Sequence, residues 1–165
     1  MERARVTLFP ILAFILRFVV GLTLVVAGAG KLTDATAAQR ATEAALHIGG
    51  TLALALTVAI SVLEILLGIH LIVGLNLRWS ALAAALLCAV FFVFVNYLWA
   101  TGFTGGCGCF GVFGGGSPGP EETLRDGVLL VAAAGAWWSR HYGLSLDRLM
   151  HGDRAHRSEE SISLR

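Results

Sequence analysis

The sequence predicts an all-α integral membrane protein, a bundle of four transmembrane helices with a glycine-rich Cys-Gly-Cys loop between the third and fourth. Of its 165 residues 56% are hydrophobic and only 14% are charged, and the mean hydropathy is +0.77. Soluble domains carry about a quarter charged residues, so this balance indicates a protein that lies in a lipid bilayer. The net charge of +1 gives no basic surface for nucleic acid, and we expect no such partner.

Four apolar runs supply the predicted spans. Residues 8–29 carry Arg17 as their only charge and are long enough to cross about 30 Å of hydrocarbon. Residues 51–75 and 79–100 are separated only by Asn76-Leu77-Arg78, a connection so short that the two spans should form an antiparallel hairpin. Residues 124–138 form the shortest run and end in Trp137-Trp138, a pair typical of the membrane interface.

The remaining segments are polar. Residues 35–46 predict a short interfacial helix between the first two spans. A cleaved signal peptide is the alternative for the first run, because Ala27-Gly28-Ala29 resembles a cleavage site, but the apolar stretch is too long and contains Arg17. We therefore expect a transmembrane domain over residues 1–139 and a polar, disordered cytoplasmic tail over residues 140–165.

Basic residues predict the orientation. The face with both termini and the Asn76 turn would hold eight of them, Arg3, Arg5, Arg78, Arg140, Arg148, Arg154, Arg157 and Arg165. The opposite face would hold three, Lys31, Arg40 and Arg125. Cytoplasmic segments carry the excess of positive charge, so both termini should be cytoplasmic in a multi-pass protein of the inner or plasma membrane. The Cys-Gly-Cys loop would then be extracytoplasmic, where disulfides persist.

The glycine-rich loop holds the predicted catalytic pair, Cys107 and Cys109. Seven glycines between positions 105 and 116 exclude a regular helix. A disulfide needs its Cα atoms within about 4.4–6.8 Å, so the chain would have to turn at Gly108. A ring this small should be strained, and strained disulfides exchange readily. We expect Cys107 to be the attacked sulfur, because Cys109 precedes Phe110 and should be better shielded.

Two other interpretations of the loop stay open. A static disulfide is one, although a ring this small restricts the unfolded chain very little. A zinc site is the other, but zinc requires about four ligands and the C-terminal histidines lie on the opposite face, so no metal is predicted. Cys88 lies in the middle of its span and is expected to be a packing residue.

Two membrane-embedded charges are predicted to pair. Arg17 and Glu64 should lie about 13 and 16 Å from the cytoplasmic ends of their spans. A lone charge at that depth costs about 2.5–3.5 kcal/mol or more, so neighbouring helices should bring the two together. The pair would be either structural or a proton or quinone-headgroup site. Lys31 and Arg125 are expected at the outer face near the loop, to lower a thiol pKa, to bind an anion or to anchor helix ends.

Several elements together carry a family resemblance. They are Arg17, Gly21, the run Ala27-Gly28-Ala29-Gly30-Lys31-Leu32-Thr33-Asp34, Glu64, Gly68, Gly74, Cys107-Gly108-Cys109-Phe110-Gly111 and Arg125. In this order the chain resembles the methylamine-utilisation MauE family, within the DoxX-like group of four-helix membrane proteins, over about residues 8–139. The resemblance implies a role in maturation or export of a disulfide-rich periplasmic enzyme subunit, alongside a thioredoxin-like partner.

Two functions follow from these predictions. The first is a membrane thiol–disulfide oxidoreductase, of the thiol:quinone type, in which Cys107 and Cys109 relay electrons between a thioredoxin-fold protein and a quinone. The second is a non-enzymatic membrane subunit that docks a partner through the loop. A quinone is the one candidate cofactor, and the oligomeric state, homomeric or heteromeric, stays open.

Overall fold

The computed structural model describes residues 2–111 and 116–138, with side chains from residue 14 onward. These residues form five α-helices and contain no strand. The helices are α1 Glu2–Thr33, α2 Thr36–Leu46, α3 Gly50–Val73, α4 Leu77–Ala100 and α5 Pro120–Trp138. The predicted all-helical fold is therefore confirmed for the described chain. The predicted tail, residues 140–165, lies outside the described residues.

Three of the described helices are long and apolar enough to cross a membrane. They cover Phe14–Thr33, Gly50–Val73 and Leu77–Ala100. The predicted fourth span lies in α5, whose first turn carries Glu121 and Glu122 and whose second carries Arg125 and Asp126. The described helices thus give three candidate spans rather than four, and membrane insertion of α5 stays a prediction.

Helices α1 and α3 run antiparallel and approach each other through glycines. A Cβ added at Gly21 would lie 2.9 Å from the carbonyl oxygen of Gly68, and one added at Gly28 would lie 2.6 Å from that of Ser61. No side chain larger than hydrogen fits at these distances. Small residues allow helix backbones to approach closely in membranes, where close packing is a main source of association.

The connections between helices are short. Helix α3 is followed by Gly74 in the left-handed conformation, with φ 77°, and the N–H of Gly74 donates to the carbonyl oxygen of His70. Asn76, with φ 43°, precedes α4. The predicted hairpin of the second and third spans is present, with its turn at residues 74–76. A helix also occupies Thr36–Leu46, close to the predicted residues 35–46.

The core has two parts. The first cluster joins α1, α3, α4 and α5 and includes Val20, Leu71, Ala84, Cys88 and Ala133. The second lies at the opposite end of the bundle and consists of Ala41, Val95, Leu98, Cys107 and Cys109. Large apolar side chains cover the outside of the helices, as lipid contact requires. The Cys-Gly-Cys loop is thus a component of the core.

Candidate thiol site

The Cys-Gly-Cys loop is wedged between the end of α1 and the beginning of α2. Gly108 has φ 64°, and a Cβ there would collide with the backbone nitrogen of Ala38. Gly111 has φ 54°, and a Cβ there would collide with the backbone of Gly30. Both positions require glycine for conformation and for space. The chain turns at Gly108, as the sequence analysis predicts.

The two thiols of the loop are buried. Cys107 is 3% exposed and Cys109 is 6% exposed, and both side chains are free thiols in this structure. They pack against Ala41, Val95 and Leu98. The expectation that Cys107 is the open thiol is therefore wrong, because the loop folds inward onto α2 and α4 and covers both sulfurs.

The acidities of the two thiols differ. A hydrogen bond from the Cys109 side chain is the main reason that the pKa of Cys107 falls to about 6, and the Arg125 guanidinium lowers it further. The same hydrogen bond, together with burial, raises the pKa of Cys109 above its usual value. The sulfur of Cys109 also lies 4.0 Å from the carbonyl oxygen of Cys107. Cys107 is thus the thiolate of the pair, and Cys109 is the protonated thiol that stabilises it.

Arg125 contacts the loop at Phe110, the residue directly after Cys109. Its guanidinium carbon is 4.3 Å from the centre of the Phe110 ring. It also approaches Glu122 at 3.6 Å and Asp126 at 3.4 Å. These contacts tie the start of α5 to the loop and place a positive charge close enough to act on Cys107.

Lys31 has a different environment from the predicted interfacial one. Only 3% of the residue is exposed, and its ammonium lies 2.6 and 2.8 Å from the two carboxylate oxygens of Glu64. The ammonium is also 4.7 Å from the centre of the Phe91 ring. Lys31 is therefore one half of a fully buried ion pair that lies beside the thiol loop.

The predicted ion pair between Arg17 and Glu64 is wrong. The register of α1 on α3 places Arg17 beside Gly74, where an added Cβ would be 3.2 Å from its Nη1 atom. Glu64 precedes Gly74 by ten residues, or about 15 Å of helix. The Arg17 guanidinium lies instead at the C-terminal end of α3, which carries partial negative charge, with its central carbon 5.3 Å from the Phe14 ring.

A small cavity lies on the inner side of Cys109. Its volume is about 30 Å³, and Glu64, Cys88 and Asp126 also line it. That volume is sufficient for a water molecule. Asp126 is 4% exposed, and its Oδ2 atom has no hydrogen-bond partner within the described part of the chain. The signal that could have identified Asp126 from the sequence is a carboxylate near the start of an apolar run, since such residues are costly in a membrane and often functional.

A larger cavity lies on the other side of the thiols, bounded by α2, α3 and α4. Its volume is about 200 Å³, and both cysteines and Lys31 line it together with apolar residues. Thr57 also lines this cavity and is 4% exposed, and no pattern in the sequence distinguishes it from the other residues of its span. Cys109 therefore separates a small cavity with two carboxylates from a larger, mostly apolar one. The described residues contain no group of three or more His, Cys, Asp or Glu side chains that could hold a metal ion.

Fold and site together define a helical membrane protein with a buried dithiol loop. The family model described as "Methylamine utilisation protein MauE" matches residues 9–139, and the chain belongs to the MauE family. The predicted family is confirmed, whereas the wider DoxX-like grouping stays a prediction. No curated protein and no solved structure matches the chain.

Proposed function

We propose that this protein is a membrane thiol–disulfide exchange protein that supports maturation of an exported, disulfide-containing protein. The observation that carries the proposal is the pair of free thiols, Cys107 and Cys109, held one residue apart by the turn at Gly108. In addition to the hydrogen bond from Cys109, Arg125 beside this loop lowers the pKa of Cys107, which favours the thiolate that exchange requires. Membership of the MauE family supports a role in methylamine utilisation. The partner class is a thioredoxin-fold protein.

The exchange proceeds through a mixed disulfide on Cys107. In the reduced protein the Cys107 thiolate attacks a partner disulfide, one partner sulfur leaves as a thiolate, and Cys109 then displaces the second as the loop disulfide forms. In the opposite direction a partner thiolate attacks Cys107 and Cys109 is released. Because both thiols are covered, partner binding must shift the loop away from Ala38 before attack.

Trapping of the mixed disulfide tests this function. The Cys109→Ser variant lacks the resolving thiol and should accumulate a covalent adduct with a thioredoxin-fold protein in intact cells. The adduct should appear on a non-reducing gel, disappear on reduction, and be identified by mass spectrometry. Cys88→Ser is the matched control, because Cys88 is a buried cysteine of the first core cluster, and it should trap nothing.

A docking subunit without redox activity is the second candidate. The burial of both thiols, at 3% and 6% exposure, favours it. It is preferred if neither Cys109→Ser nor Cys107→Ser traps a partner and both thiols resist a membrane-impermeant maleimide before and after external reduction.

The proposed topology has four spans, with α5 as the fourth, cytoplasmic termini and an extracytoplasmic loop. The excess of arginine at the termini supports it. A reporter that is active only in the cytoplasm should work when fused after Arg165 and fail when inserted between residues 114 and 119. The opposite pattern would reverse the orientation and remove the loop from the oxidising compartment.

A further inference from the structure

The cavity between α2, α3 and α4 joins the thiols to the lipid-facing side of the bundle. Cys107 and Cys109 line it at one end, and Phe91 and Phe94 of α4 line it along one wall. Thr57 is seven residues after the start of α3, so the cavity lies about 10 Å below that end of the helix. An engineered cavity of about 150 Å³ holds benzene, so a cavity of about 200 Å³ is large enough for a substituted six-membered ring.

The cavity also contains an unused hydrogen-bond donor. Thr57 Oγ1 is buried and has no partner within the described ranges of the chain. The hydroxyls of its neighbours are engaged, since Thr42 donates to the carbonyl oxygen of Ala38 and Ser61 donates to that of Thr57 itself. Buried polar groups are nearly always paired, so a lone hydroxyl facing an apolar cavity points to an acceptor on a bound molecule.

A second apolar groove continues from the mouth of the cavity. The two share Leu46, Val90 and Phe94, and the groove extends along α4 past Val93 and Tyr97. Its volume is about 620 Å³, and its apolar side chains are largely exposed. A ligand with one ring and a long apolar tail would fill both spaces, with the ring beside the thiols and the tail in the groove.

We propose that this cavity binds the ring of a lipid-tailed quinone, which accepts electrons from Cys107 and Cys109. The ring lies between the phenylalanines and the thiols, Thr57 donates a hydrogen bond to a carbonyl oxygen, and the tail follows the groove on α4. The inference rests on the proposed thiol–disulfide function and adds its electron acceptor.

The redox step balances within this site. The Cys109 S–H bond breaks, one S–S bond forms between this sulfur and the Cys107 thiolate, and the pair loses two electrons. The quinone gains those two electrons, and two protons, one from Cys109 and one from water, reach its oxygens to give the quinol. The loop disulfide that is re-formed in this way can oxidise the next partner.

Decylubiquinone and the full-length protein in lipid nanodiscs provide the test. Thr57→Val preserves side-chain shape and removes the hydroxyl, so binding should weaken about three- to tenfold, the effect of one hydrogen bond. Thr42→Val is the matched control, because this hydroxyl lines the same cavity but is already bonded to the backbone, and its affinity should equal that of the wild type. Without quinone, Thr57→Val should raise the unfolding temperature, because it removes an unpaired buried hydroxyl.

The redox step is measured anaerobically on the pre-reduced protein. One quinol should appear for each pair of thiols lost, and the Cys107→Ser, Cys109→Ser double variant should bind decylubiquinone without reducing it. The same ring without a tail should bind more weakly than decylubiquinone, because it leaves the groove empty.

Two results would overturn the inference. Equal decylubiquinone affinity for the wild type and Thr57→Val would show that the hydroxyl does not contact the ring, and saturable binding without thiol oxidation would show that the cavity holds only an apolar chain. In either case an adduct trapped by Cys109→Ser would leave the proposed function intact. Quinone-dependent thiol oxidation without any trapped partner would instead contradict the proposed function and retain the quinone site.

Discussion

The α1–α3 interface and the surroundings of the thiol loop differ in how closely they are packed and in whether their buried polar groups are paired. Along α1 and α3 the backbones touch at glycines, and the buried charges of Lys31 and Glu64 neutralise each other at 2.6 Å. Around the thiol loop there are two cavities, and the buried atoms Thr57 Oγ1 and Asp126 Oδ2 lack partners among the described residues. The first side satisfies nearly everything it buries, and the second does not.

This difference indicates that the α1–α3 interface is the structural scaffold and that the surroundings of the thiol loop are the functional site. Unpaired buried polar atoms cost free energy, so they persist where a ligand, a water molecule or a reaction uses them. Lys31 belongs to both sides, because its ammonium closes the α1–α3 interface while its side chain lines the larger cavity. The ion pair therefore fixes one wall of the thiol site.

The largest expected effect comes from breaking the ion pair. Lys31→Met leaves the buried Glu64 carboxylate without its partner, and Glu64→Gln leaves the buried Lys31 ammonium without its partner. Either loss costs about 3–5 kcal/mol of folding free energy. Either variant should lose most of its folded population, measured as the monodisperse fraction and the unfolding temperature in detergent. The double variant should recover part of this loss, because both desolvation costs disappear together.

Two comparisons make the experiment specific. Arg17→Met should show no coupling with Glu64→Gln, because Arg17 lies about 15 Å of helix away, beside Gly74. Strictly additive losses for the Lys31 and Glu64 variants would contradict the pairing and would weaken the contrast between the two sides.

A smaller effect is expected from the glycine contact. A Cβ at Gly68 would lie 2.5 Å from the carbonyl oxygen of Gly21, so Gly68→Ala must push α1 and α3 apart at a cost of about 1–3 kcal/mol. Gly135→Ala in α5 is the control, because among the described residues the atom nearest to its Cβ would belong to the Leu16 side chain, at 3.5 Å. That variant should be unchanged or slightly more stable through helix propensity. Equal unfolding temperatures for the two variants would mean that the α1–α3 contact is loose.

The sequence predicts the helices well because run length and hydropathy determine them locally. It does not predict the register of α1 on α3, which fixes the partner of Glu64. A depth counted from Leu8, the first residue of the apolar run, does not give the alignment, because α1 begins at Glu2 and glycines determine its position on α3. The end of the apolar run predicts an interfacial Lys31, but α1 continues to Thr33 and turns this side chain inward.

The site is predictable in its chemistry and less so in its surroundings. The spacing of Cys107 and Cys109 and the turn at Gly108 follow from the sequence. The role of Thr57 does not, because threonine in an apolar helix usually bonds its own backbone, as Thr23 does. Only the three-dimensional packing of α2 on α3 and α4 shows that this hydroxyl faces a cavity.

The smallest expected change leaves the fold intact and alters only the acidity of Cys107. In a Cys88→Ser background, alkylation of Cys107 by iodoacetamide should be half-maximal near pH 6, because the thiolate is the nucleophile and its pKa is about 6. The rate should fall below that pH and change little between pH 7 and 9.

Cys109→Ala removes the main hydrogen bond to the thiolate, so the midpoint of the Cys107 profile should move upward towards the ordinary value of about 8.5. Arg125→Gln should move it less, since the guanidinium is the weaker cause. Mass spectrometry of the alkylated Cys107 peptide measures all three profiles. A wild-type midpoint near 8.5, or one that Cys109→Ala leaves in place, would contradict the difference in pKa between the two thiols. The loop would then have no more chemical reactivity than the packed α1–α3 interface.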